Sequence, residues 1–154
     1  MNYGKKFEQQ FKKNWLQTVD DTIVVRLYDP MSGYSSISNI SDFVCYKYPN
    51  IFFIECKTHS GASLPFSAVS QYEKMFTASL ATGVKCGIVL WLYEKDKVLY
   101  IPISAVKSLK DNGESSVGIR HLGSYGIIEI PSKKLKKFMD SDYSVLIDTF
   151  IRSE

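Results

Sequence analysis

Residues 42 to 57, DFVCYKYPNIFFIECK, constrain the fold of this chain more than any other stretch. Two runs of apolar, β-branched and aromatic residues flank Pro49-Asn50, the pattern of two antiparallel strands joined by a tight turn. Side chains alternate between the two faces of a strand, so Phe52, Ile54 and Cys56 share one face and Ile51, Phe53, Glu55 and Lys57 share the other. The first face reads as core. With the turn centred on Pro49-Asn50, Tyr48 pairs with Ile51, Val44 with Glu55 and Asp42 with Lys57, which brings Asp42 to the face of both charged residues. Pro49 cannot take the positive φ of a two-residue type I′ turn, so a longer loop is the alternative. A change of two residues keeps the three groups together, and an odd change separates them.

Around this pair, Phe7, Phe11 and Trp15 recur every four residues and predict a helix from Lys5 to about Gln17. DTIVVRLYDP predicts a strand ended by Pro30, and MSGYSSISNIS, 31 to 41, a Ser-rich loop. Ser67 to Leu80 predicts a helix with Ser70 and Glu73 at capping-box spacing and Gly83 near its end. VKCGIVLWLY and KVLYIP predict two strands across the turn EKDK. SAVKSL follows as a short helix, YGIIEIP as a short strand and SKKLKKFM as a helix opened by Ser132. The order helix, three strands, helix, two strands predicts an α/β fold with a central mixed sheet flanked by helices.

No repeat, low-complexity tract or linker divides the 154 residues, so residues 1–154 read as a single domain. An apolar fraction of 45% and a charged fraction of 23% exclude a largely disordered chain. Gly87 to Tyr93, the longest apolar run, is too short for a membrane span, and MNYGKKFEQQF lacks a signal-peptide core, so the expectation is a cytoplasmic protein without a membrane partner. Cys45, Cys56 and Cys86 lack CxxC spacing and read as small buried residues. A net charge of +3 permits an anionic partner without requiring one. Lys133, Lys134, Lys136 and Lys137 read as a solvated helix face that is also able to follow a DNA backbone. His59 reads as a surface loop residue, and the tyrosines as core or rim rather than as base-stacking platforms.

Opposite Cβ atoms on paired strands lie roughly 5 Å apart and diagonal ones about 7 to 8 Å, so Asp42 and Glu55 are able to share a hard cation, Mg2+ or Mn2+. Such an ion activates water and stabilises charge on a phosphate, and the ammonium of Lys57 reinforces both effects. The set is chemically sufficient for phosphodiester hydrolysis. A solvated ion pair accounts equally well for E-x-K at a strand end; Asp42 at compatible spacing is what favours a site.

GKKFEQQF, VVRLYDP, SDF, FIECKTHSGASLPF and SQYEKM, with the closing SSVGIRHLGSYGIIEIPSKKL, together resemble RecU-type Holliday junction resolvases and their phage relatives in the PD-(D/E)XK nuclease superfamily. The resemblance covers nearly the whole chain. It implies a restriction-endonuclease-like core and a metal-dependent endonuclease, using Mg2+ or Mn2+, that nicks opposite strands of a four-way DNA junction symmetrically as a homodimer, in the host cytoplasm if phage-encoded. It implies Asp42 and Glu55 as metal ligands, Lys57 as the catalytic lysine, Glu8 beside the metal site, and Gln71 holding the site or its water. Ser41 and Thr58 become phosphate contacts, as do Lys5 and Lys6 of Gly4-Lys5-Lys6, which stands where the family has Gly-Arg before its Phe-Glu. Cellular members carry a longer stalk where this chain has only 31 to 41. Against this stand another nuclease of the superfamily, acting on flaps, branches or duplexes, and a DNA-binding recombination accessory that does not cut.

Overall fold

The structure, a computed structural model, describes residues 2–28 and 39–152. Helix α1 (Tyr3–Thr18) opens at Asn2, whose side chain accepts the Lys5 N–H at 3.1 Å, and it ends where Val19 turns extended. Phe7, Phe11 and Trp15 are buried along one stripe, as their spacing predicts. Strands β1 (Ile23–Arg26), β2 (Phe43–Lys47) and β3 (Asn50–His59) follow, then a short strand β4 (Ser63–Pro65) and α2 (Tyr72–Ser79). Next come β5 (Val84–Leu92), β6 (Lys97–Pro102), α3 (Ile103–Asp111), β7 (Ser116–Gly118), β8 (Ile128–Glu129), β9 (Ser132–Lys134), β10 (Met139–Ser141) and α4 (Ser144–Arg152).

The central sheet has the order β1-β2-β3-β5-β6-β8. β3 and β5 are parallel and every other neighbouring pair is antiparallel, so the sheet is mixed, as expected. Being parallel, β3 and β5 need a crossover, which β4 and α2 supply. β5 is buried from Cys86 to Leu92 because layers cover both of its faces. On one side α1, α4 and the β9–β10 hairpin enclose Phe11, Trp15, Phe43, Phe52, Ile54 and Trp91. On the other, α2, α3 and the β4–β7 ribbon enclose Met75, Ile88, Leu90, Ile101 and Val106. Cys45, Cys56 and Cys86 are buried free thiols, as expected. No helix among the described residues is long and apolar enough to cross a membrane.

Three expectations change. Lys47 pairs with Asn50, so the loop is Tyr48-Pro49, joined by a cis peptide bond, and Tyr46 rather than Tyr48 faces Ile51. Asn50 joins the strand because its backbone completes the last pair with Lys47. The shift is two residues, so side-chain faces are preserved and Asp42 comes next to Glu55 instead of Lys57. The helix expected over 67–80 is shorter: Phe66–Ala68 form one 3-10 turn, and Val69, buried at φ −103°, interrupts it. Gln71, not Ser70, occupies the cap position of α2, and Gly83 serves the turn into β5 at φ +82°. Finally, 132–139 is not a helix but the β9–β10 hairpin, pinned by Ser132 Oγ to Ser141 Oγ at 2.8 Å and by burial of Met139 against the α1 core. The Ser-rich loop expectation falls largely on 31–38, outside the described residues.

The aromatic stripe of α1 fixes where Glu8 sits, so its packing is measurable. Phe11→Ala should lower stability by about 3 to 5 kcal/mol, the usual cost of emptying a closed aromatic site. Urea unfolding checks this, and a loss below about 1 kcal/mol would contradict the packing.

Candidate active site

Asp42 immediately precedes β2, at the end of the sheet towards which β3 carries Glu55 and Lys57. Two backbone-to-carboxylate hydrogen bonds lock the acids together. The Asp42 N–H donates to Glu55 Oε1 at 3.1 Å, and the Cys56 N–H donates to Asp42 Oδ2 at 2.9 Å. Each carboxylate is thus held by the strand that carries the other. Lys57 shares the face of Glu55, and no ion pair ties its ammonium among the described residues.

Arg26, at the end of β1, completes the cluster. Its guanidinium grips Glu8 of α1 through Nε to Oε2 at 3.2 Å and Nη2 to Oε1 at 3.3 Å, a bidentate pair. Nη1 donates to the carbonyl of Asp42 at 3.1 Å and to that of Leu27, and Nη2 lies 3.7 Å from Asp42 Oδ1. Sequence reasoning did not single out Arg26. A signal existed: it has the strand parity of Val24, which is buried, and a cation on a core-facing position needs an acidic partner.

A pocket of about 180 Å3 opens over the acids, with Arg26, Ser41, Asp42, Glu55, Ser70 and Gln71 in its wall. Gln71 reaches it from the start of α2, while Ser41 is buried with its hydroxyl donating to the Phe43 carbonyl at 2.8 Å. The structure therefore brings together Glu8, Ser41, Asp42, Glu55 and Gln71, with Lys57 alongside. Thr58 is not among them, because alternation turns it to the opposite face from Glu55 and Lys57. Lys5 and Lys6 are exposed near the start of α1. Lys133, Lys134, Lys136 and Lys137 are exposed on the β9–β10 hairpin, on the α1 side. Lys134 pairs with Asp96 at 2.7 Å, in the turn whose Tyr93 N–H meets the last residue of β3, so this hairpin approaches the same sheet end. His59 is that last residue, its Nδ1 2.6 Å from the Ser60 carbonyl.

Burial pushes the Glu55 carboxyl up to about 8, helped by the adjacent Asp42 and opposed by Lys57. Glu8 is also raised, by burial and then by Asp42, with Arg26 pulling it back. Two abutting carboxyl groups, one of which resists ionisation, form a site short of positive charge. A hard divalent cation fits that donor set. Among the described residues no cluster of three His, Cys, Asp or Glu side chains forms, so an ion held by Asp42 and Glu55 would need backbone, water or substrate oxygen to complete its shell, as magnesium does.

No protein-family model matches the chain, and no curated protein matches it. Among solved structures, Hjc from Archaeoglobus fulgidus, a Holliday junction resolvase from an archaeal hyperthermophile, superposes with a TM-score of 0.56 at 16% identity, over 76% of this chain and 89% of that one. The fold is restriction-endonuclease-like.

Burial of Glu55 gives a pH signature. An unfolded glutamate titrates near 4.5 and the folded Glu55 at about 8, so between these values the unfolded state sheds a proton that the folded state keeps. Stability from this group is full below 4.5 and lost as pH rises through about 8. Thermal melts in chelator should show this decline in the parent protein. Glu55→Gln should flatten it and melt higher than the parent at pH 8; an unchanged slope would contradict the burial of the carboxyl.

Proposed function

We propose that this protein is a metal-dependent DNA endonuclease that resolves four-way junctions by paired nicks, in the manner of RecU-type resolvases. The observation that carries this reading is the locked Asp42–Glu55 pair with Lys57 on the same face, at a sheet end of a fold shared with a junction resolvase. Asp42 and Glu55 would hold Mg2+ or Mn2+, which supplies water activation and charge stabilisation on the scissile phosphate. Lys57 orients the attacking water and balances charge building on the phosphoryl oxygens. Arg26 positions Asp42 and Glu8, and Gln71 offers its amide to water in the pocket. Exposed Lys5 and Lys6 supply phosphate contacts along the approaching backbone.

A homodimer provides two such sites for symmetric cuts. Support comes from an apolar strip on the edge of the sheet: Ile23 pairs with Tyr46 and Tyr46 with Ile51, and these three with Val25 are 60%, 39%, 38% and 47% exposed. Burial of such a strip against a second copy removes it from water.

The deciding experiment incubates the protein with magnesium on a four-way junction, a flap and a linear duplex, with and without chelator. Cleavage confined to the junction and abolished by chelator is expected; equal cutting of all three would leave a nuclease without junction selectivity. Asp42→Asn, Glu55→Gln and Lys57→Ala should each lower the cleavage rate by at least about a hundredfold, the scale for losing one preorganised electrostatic contact, while junction binding persists. A variant that cuts and binds like the parent would refute its residue's role. Val25→Glu should turn the dimer into a monomer in light scattering and convert paired nicks into single ones; a dimer that survives would move the interface elsewhere.

A further inference from the structure

We propose that Tyr28 is a nucleobase-stacking residue, which stacks on the uncovered face of the base next to the phosphate being cleaved. This rests on the nuclease reading and deepens it, by naming how the same site recognises a branch point.

Tyr28 is the most exposed large hydrophobic side chain among the described residues, at 77%, yet its ring is held in place. The Arg26 guanidinium carbon lies 4.8 Å from the Tyr28 ring centroid and 5.5 Å from that of Phe43, so the cation sits against both rings. The same guanidinium is anchored by its bidentate grip on Glu8 and by the Asp42 carbonyl. One side of the ring therefore rests on a fixed cation while most of its surface faces water. An ordinary surface tyrosine lacks such a seat. A preoriented aromatic plane loses little freedom when a base stacks on it, and the guanidinium beneath adds cation–π support.

The position is also informative. Tyr28 lines the carboxylate pocket and, on its other flank, a second hollow of about 160 Å3 walled by Lys5, Glu8, Gln9, Lys12 and Arg26. Arg26 is common to both. A nucleotide whose phosphate occupies the carboxylate pocket would bring its neighbour's base over Tyr28, with the next phosphate towards Lys5 and Lys12. Stacking of this kind needs a base whose face is uncovered. Continuous duplex hides its base faces, whereas a branch point offers them, so the subsite favours branched DNA.

The test uses a four-way DNA junction carrying 2-aminopurine at each nucleotide flanking the crossover in turn, with calcium present to allow binding without rapid cutting. The parent and Tyr28→Phe should quench the fluorescence at one flanking position. Tyr28→Ala should lose that quenching and bind about tenfold more weakly, with an unchanged salt slope because no charge is removed. Lys12→Ala should instead keep the quenching and lower the salt slope by about one. Melting temperatures equal to the parent's exclude misfolding, which the exposure of Tyr28 already disfavours. Tyr28→Ala that quenches and binds like the parent, or a parent that quenches at no position when bound, overturns the proposal. Quenching without cleavage in magnesium would sink the nuclease reading and leave the base subsite standing.

Discussion

The guanidinium of Arg26 is the tie on which the candidate site depends. It joins the first helix to the first strand through Glu8, and the first strand to the second through the carbonyl and carboxylate of Asp42. The side chains of Arg26, Glu8 and Asp42 are only 22%, 26% and 21% exposed, so the cluster is partly removed from water. In such surroundings a charge without its partner is costly, and each member therefore fixes the others. Removing Arg26 would leave two acids facing each other, with the charge of Lys57 left to offset them. The aromatic stripe of α1 sets the distance: Phe7 and Phe11 seat the helix on the sheet, and Glu8, between them, arrives within reach of β1.

Sheet geometry supplies the second tie. Asp42, just before β2, and Glu55, on β3, each accept a backbone N–H from the segment that carries the other. Register and site are consequently one structural fact. A slip by one residue would turn Glu55 and Lys57 into the core beside Phe11 and Trp15, where an ionised carboxylate is untenable. The buried faces of Phe52, Ile54 and Cys56 thus enforce the face of Glu55 and Lys57 indirectly, by making every odd register far worse than the observed one.

These ties explain what was legible in the sequence. Period-two alternation over 51–57 and period-four recurrence over Phe7, Phe11 and Trp15 are enforced by burial, so the strands, the first helix and the shared face of Asp42, Glu55 and Lys57 could be read directly. The exact pairing could not, because Tyr48-Pro49 and Pro49-Asn50 turns preserve the same faces. The segment 132–139 was misread because helix propensity of its lysines is weak against two tertiary facts: Met139 docks on the α1 core, and Ser132 and Ser141 bond to each other. Strand parity with Val24 marked Arg26 as needing an acidic partner, but its partners lie 18 and 16 positions away along the chain and no spacing rule names them.

The raised Glu55 carboxyl explains why such a site tolerates its own construction. Two ionised carboxylates in contact would repel each other at the neutral end of the pH range, but a proton retained on Glu55 removes one charge. The folded chain therefore carries one charge fewer at the site, and a divalent cation bound there would compete with that proton for the same oxygens. Selectivity between ions would then follow from the donors: hard carboxylate oxygen, with no thiolate and no imidazole among the described residues of the wall, would disfavour zinc and leave room for water and phosphate oxygen. Cys56, although its backbone N–H holds Asp42, points its thiol into the opposite core, where burial keeps it protonated. Strand alternation thus separates the one soft donor nearby from the hard site, with no residue spent on exclusion.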